Sequence, residues 1–317
     1  MDPRQPPHSL SDHRAQPELL LDGSWERTSR SLNTAALLGL LGVGALYFNA
    51  QSILATVAVF LTGFPNGGPG FSGSYFDRLL ESIRHLADPL RIAVVVSQYL
   101  FMLFPAVLLV RMWHSSDIRR YVRFTGSSAA EILLAVFATL MIIPASNFIA
   151  DELIRQLEVP RVLMEINAEI FTSRSPGEFA WLVFVVCVTP ALCEEIFFRG
   201  FVQRTFERTI GAKSVILVGV LFGLFHFNPL GLISLSILGL LFGYFFYRSR
   251  SLLPSMIAHF VNNFLAVFFL YKNPNTESLI VVEEMPLWVV GVTLPVGMAA
   301  LYGYYRMTER KFTALSV

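Results

Sequence analysis

Apolar runs long enough to cross a bilayer recur between residues 32 and 305 of this 317-residue chain. A helix needs about 18 or more such residues to traverse a ~30 Å hydrocarbon core. Backbone polar groups in lipid must be satisfied internally, so helices are the economical way across. Composition agrees: 54% of residues are hydrophobic and 15% charged, against roughly a quarter charged in soluble domains. The expectation is an all-α, polytopic membrane bundle of about eight transmembrane helices around an intramembrane cavity.

The apolar runs place the segments near 33–63, 90–110, 130–149, 179–198, 214–227, 230–247, 251–271 and 286–305. The first reads as tilted or broken around Asn49-Ala50-Gln51. A Gly/Pro/Asn loop from Phe64 to Gly73 leads into an amphipathic stretch, Tyr75 to Ala87. The chain divides into a flexible tail (1–31), N-terminal transmembrane helices (32–150), a polar interfacial connection (151–178), a core carrying the candidate chemistry (179–271), and a last helix with its tail (272–317). The tail lacks the basic-then-apolar pattern of a signal peptide.

Lys and Arg in short loops collect on the cytoplasmic side. The tail, the 111–123 loop, the 199–213 connection, the 248–250 turn and the C-terminus together hold 17 of them. The opposite loops hold six: Arg78, Arg84, Arg155, Arg161, Arg174 and Lys272. This split places both termini in the cytoplasm, and a bacterial inner membrane is the expected location. A net charge of +1 with no basic face argues against a nucleic-acid partner. Cys187 and Cys193, six apart on a helix, face different ways and read as small core residues rather than a disulfide.

The fifth segment is short, about 14 residues or ~21 Å by helix rise, and Asn228-Pro229 then forces a turn. That hairpin is expected to turn inside the membrane, which is tolerated only against protein or a wet cavity. The ionisable residues within apolar segments concentrate here. They are Glu194, Glu195, His226 and His259, accompanied by Asn263. An ionisable residue costs at least ~2.5–3.5 kcal/mol near the bilayer centre.

Glu195 and Arg199 are four apart with the acid N-terminal, the better orientation for pairing. Glu194 lies about 100° away on the helix and is left for other work. Each group also has a plainer reading. Both glutamates could pair with Arg199 and Arg204 near the interface, His226 could be a packing residue, and Asn263 could be interhelical glue. By helix rise, Glu194 lies ~5–10 Å deep if Arg199 marks the surface, His226 ~18 Å if its segment enters near Ser214, and His259 ~12 Å and Asn263 ~18 Å if theirs enters near Ser251. The groups can then meet in the cytoplasmic half.

Glu194-Glu195-x-x-x-Arg199, Phe222-x-x-x-His226 and His259-x-x-x-Asn263, in that order on successive helices, resemble the three motifs of the CAAX protease and bacteriocin-processing family. That family is also called the Abi family or the type II CAAX prenyl endopeptidases. The resemblance covers roughly residues 175–270, including Pro190, Gly200 and Ser251-Leu252-Leu253-Pro254-Ser255. It implies an intramembrane glutamic endopeptidase with a cavity open to the cytosol and a membrane-associated substrate, prenylated CAAX proteins among the candidates. By the resemblance, Glu194 would activate water and His226 would help hold it. His259 and Asn263 would stabilise the oxyanion, and Glu195 with Arg199 would form the supporting pair.

Amide hydrolysis needs such a base and such donors. No cofactor is expected. The rival within the enzyme class is a zinc peptidase using the same two histidines and a glutamate, although an H-E-x-x-H spacing is absent. A non-catalytic alternative is an immunity, scaffold or proton-coupled transport protein, although no inverted repeat is evident.

Overall fold

The computed structural model describes residues 19–28, 30–62, 75–157, 171–229, 231–273 and 286–314. Within them the secondary structure is helical. The elements are α1 (Leu32–Thr62), α2 (residues 75–114), the short α3 (Ile118–Tyr121), α4 (Ala129–Gln156), α5 (Pro176–Ile210), α6 (Lys213–Phe225), α7 (Leu232–Ser249), α8 (Leu253–Lys272) and α9 (Leu287–Ala314). Seven of them are long and apolar enough to cross a membrane, and α6 is a shorter apolar helix. The Phe64–Gly73 loop, most of the tail and residues 158–170 of the polar connection lie outside the described residues.

Local signals in the sequence set the helix starts. Ser128 caps α4 by accepting from the Glu131 amide, and the Glu131 side chain reaches back to complete a capping box. Ser175 caps α5 in the same way, with Pro176 in the first turn, where its missing N–H is no loss. Outward faces carry large exposed hydrophobics such as Leu41, Ile53, Phe60, Leu133 and Ile216, as a lipid-facing surface requires.

The helices depart from the hydropathy reading in several places, among them α4, which runs on to Gln156, and α9, which runs on to Ala314. Helix α1 runs unbroken through Asn49, whose side chain donates back to the Ala45 carbonyl at 2.7 Å and so satisfies itself within the helix. The amphipathic 75–87 stretch and the second segment form one helix that carries Pro89 inside it. Arg91, two residues on, is buried and ties this region to Asp88, Glu178 and the Thr172 carbonyl. Helix α5 continues past residue 198 to Ile210. Arg199 therefore does not mark a surface. It is wholly buried in the helix, and Arg204 and Arg208 are also helical rather than loop charges.

Both α2 and α5 widen into π-helical turns, at Gln98–Leu103 and Val110–His114 in α2 and at Val183–Val188 and Glu195–Gln203 in α5. Such turns shift the side-chain register and often occur at functional sites. Helices α6 and α7 pack as a tight hairpin. A Cβ on Gly239 would sit 2.5 Å from the Gly219 carbonyl oxygen, so only glycine permits that approach. An aromatic core including Phe197, Phe198, Phe201 and Phe222 joins α1, α2, α5 and α6.

Candidate functional site

Helix α5 presents two adjacent carboxylates to two different neighbours. Glu195 points at Arg199, one turn away, with Oε1 2.9 Å from Nη1 and both side chains fully buried. The other arm of the Arg199 guanidinium donates to the Gly239 carbonyl of α7 at 3.1 Å. The guanidinium also lies 4.5 Å over the Phe222 ring and 5.5 Å from that of Phe242, an arrangement favourable for a desolvated cation. The same Glu195 oxygen accepts from His259 Nδ1 of α8 at 2.9 Å, and the imidazole stacks on Phe242 at 4.9 Å. This ion pair therefore pins three helices, α5, α7 and α8.

Glu194, one residue earlier, turns toward α2 and α6. Its Oε1 accepts from the Gln98 side-chain amide at 3.1 Å. Among the described residues its Oε2 has no hydrogen-bond partner, and it lies 3.9 Å from His226 Nε2. His226 caps the C-terminus of α6, and its Nδ1 is 2.7 Å from the Phe222 carbonyl. A carbonyl only accepts, so Nδ1 carries the hydrogen and Nε2 is the nitrogen turned to Glu194. Phe227, the next residue, has a φ of +48°, a left-handed conformation unusual for an aromatic residue. With Asn228-Pro229 it makes the sharp turn that ends α6 beside the site.

A separation of 3.9 Å is too long for a direct hydrogen bond and suits one water touching both groups. A cavity of about 390 Å³ opens at this point, lined by Tyr47, Gln51, Met102, Glu194, Phe225 and His226 among others. That volume falls in the range of small-ligand sites. An apolar groove of about 660 Å³ adjoins it, running between α1 and the α6–α7 turn and sharing Phe48 and Phe225.

The structure thus brings Glu194 together with His226, and Glu195 with Arg199 and His259, as two constellations rather than one. The two imidazoles flank a single ring: Phe222 is 4.7 Å from His226 and 5.9 Å from His259, centroid to centroid. His259 and Asn263 are not among the residues lining the cavity. The buried Glu195 needs donors, and His259 is one of them. Asn263 donates to the Val186 carbonyl of α5 at 2.8 Å and accepts from Asn262 at 3.0 Å, which uses both ends of its amide. Gln98 and Tyr47 were not singled out by the sequence. The available signal was an amide inside the apolar run around Val94–Leu103. Among the described residues, no three His, Cys, Asp or Glu side chains are grouped to hold a metal ion.

Comparison with known families bears on these helices. Residues 176–265 match the family model described as Type II CAAX prenyl endopeptidase Rce1-like. The chain carries an Rce1-like segment. That segment spans α5, α6, α7 and most of α8, and includes Glu194, Glu195, Arg199, His226, His259 and Asn263. Gln98 and the cavity wall contributed by α1 lie outside the Rce1-like segment. No curated protein and no solved structure matches the chain.

Proposed function

We propose that the chain is an intramembrane endopeptidase in which Glu194 activates a water molecule against a peptide carbonyl of a membrane-associated substrate. The supporting observation is the division of labour at Glu194. One oxygen is anchored by Gln98, and the other, without a hydrogen-bond partner among the described residues, lies 3.9 Å from His226 Nε2 on the cavity of about 390 Å³.

Water between Glu194 Oε2 and His226 Nε2 gives a proton to the carboxylate as its oxygen bonds to the carbonyl carbon. The C=O π pair moves onto oxygen, forming the tetrahedral oxyanion. Glu194 then returns the proton to the amide nitrogen, the C–N bond breaks, and a carboxyl and an amine leave. Stabilisation of the oxyanion requires a preorganised donor. His259, whose Nδ1 hydrogen goes to Glu195, would serve only as an imidazolium, with a second hydrogen on Nε2, and only where substrate reaches past the cavity lining to meet it. Asn263 contributes only where substrate displaces its bond to Val186. The adjoining apolar groove gives a lipid-modified substrate tail a place beside the reacting bond, which favours the prenylated CAAX class.

His226→Ala in proteoliposomes tests the reading. Cleavage of a farnesylated CAAX peptide should fall by about 100-fold or more, the span of a lost general acid–base partner, with the helical fold and thermal transition retained. Unchanged turnover would remove His226 from the reaction.

A further inference from the structure

The Rce1-like segment supplies the carboxylate but not the group that holds it. We propose that Gln98 of α2 is the positioning residue for Glu194, fixing which of its two oxygens faces the water; this rests on the peptidase reading above.

Three observations carry the assignment. First, the contact is direct and buried: the Gln98 amide nitrogen is 3.1 Å from Glu194 Oε1, with the Gln98 residue 3% exposed and Glu194 8%. An ionised carboxylate only accepts, so the NH2 end of the amide must be the end that faces it. Secondly, the two Glu194 oxygens become inequivalent. Oε1 is held, while Oε2, on the His226 side, has no hydrogen-bond partner among the described residues. A carboxylate free to spin about its last torsion would present either oxygen, because that rotor is broad and roughly two-fold.

Thirdly, the helix geometry is built around the contact. Gln98 begins a π-helical turn of α2, and Glu194 immediately precedes one of α5. Tyr47 of α1 stands beside both Gln98 and Glu194 and lines the same cavity. The amide is therefore enclosed by α1, α2 and α5. A neutral donor at this point holds a charge without adding a second fixed one, so the water-facing oxygen keeps its basicity better than it would beside a cation.

Gln98→Met keeps the length and shape of the side chain and removes its N–H. The expected result is a fall in kcat of roughly 10- to 100-fold with KM changed by less than about twofold, since the lost hydrogen bond to a charged group acts on the base and not on substrate binding. A second readout does not depend on turnover. The Glu194 carboxylate infrared band, isolated as wild type minus Glu194→Gln, should be displaced in Gln98→Met. Gln98→Glu should be inactive, since it sets a like charge or a competing proton against Glu194.

An unmoved Glu194 band in Gln98→Met would overturn the assignment, as would full kcat in that variant. Failure of the peptidase reading has a different signature: Glu194→Gln itself would cleave as wild type does.

Discussion

Glu195 and Arg199 lie 2.9 Å apart, one helical turn from each other, and neither side chain has any exposure. A pair so placed is held by geometry and not by solvent. Removing one partner strands the other charge in a medium that cannot solvate it. Arg199→Ala should therefore destabilise the bundle by on the order of 3–5 kcal/mol and reduce the yield of folded protein. Arg199→Lys should be only partly tolerated, because a point charge cannot serve Glu195 and the Gly239 carbonyl as a planar fork does. Thermal unfolding in detergent checks both, and wild-type stability in Arg199→Ala would refute the structural role.

The N-terminal turn provides a pH-dependent latch. Backbone bonds from Gly23, Ser24 and Trp25 reach the His114, Met112 and Trp113 carbonyls at the end of α2, at 3.0, 2.8 and 3.0 Å. Glu26 accepts from His114 Nδ1 at 2.7 Å and is clamped by both arms of Arg208. Burial alone would raise the Glu26 carboxyl, but the hydrogen bonds from Arg208 and His114 outweigh it and hold the group below the usual carboxylate range. A carboxyl depressed in the folded state stabilises docking fully above its unfolded pKa, and that stability is lost as pH falls through the folded value. Amide protection at Trp25 should therefore be high at neutral pH and decline on acidification, and Glu26→Gln should flatten the dependence. Protection in wild type that does not change with acid would contradict the latch.

Turnover should survive strong chelation. Glu194 Oε2 and His226 Nε2 lie 3.9 Å apart, and the second histidine is engaged with Glu195 instead of joining them. A zinc site with one open position needs three protein ligands. Purified protein assayed with a high-affinity chelator, alongside metal analysis, decides the point. Activity lost to chelation and restored by zinc would replace the water-activating carboxylate with a metal centre.

The membrane architecture was legible because hydropathy records it directly. The eight apolar runs and the turn at Asn228-Pro229 correspond to α1, α2 and α4–α9 and to the α6–α7 hairpin. The buried charges were not legible from the same signal. Arg199 reads as a loop residue when charge is taken to mean surface, yet Glu195, Gly239 and the Phe222 ring together make its burial tolerable. Arg91, His114 and Glu131 are likewise buried through partners distant in sequence, such as Glu178, Glu26 and Lys311. The site was legible as a set of residues and not as an arrangement. A spacing of four correctly pairs Glu195 with Arg199, but no spacing says that His259 crosses to Glu195 while Gln98, 96 positions upstream, reaches Glu194.

Glu194→Gln decides whether one carboxylate activates the water. The substitution preserves shape and hydrogen-bonding reach while removing the base. Wild type and variant, reconstituted in matched proteoliposomes with a farnesylated CAAX peptide, should be compared by mass spectrometry of the released fragment. The predicted result is a variant that is folded and binds the peptide but releases no fragment above background. Equal cleavage by the two proteins would show that Glu194 is not the base.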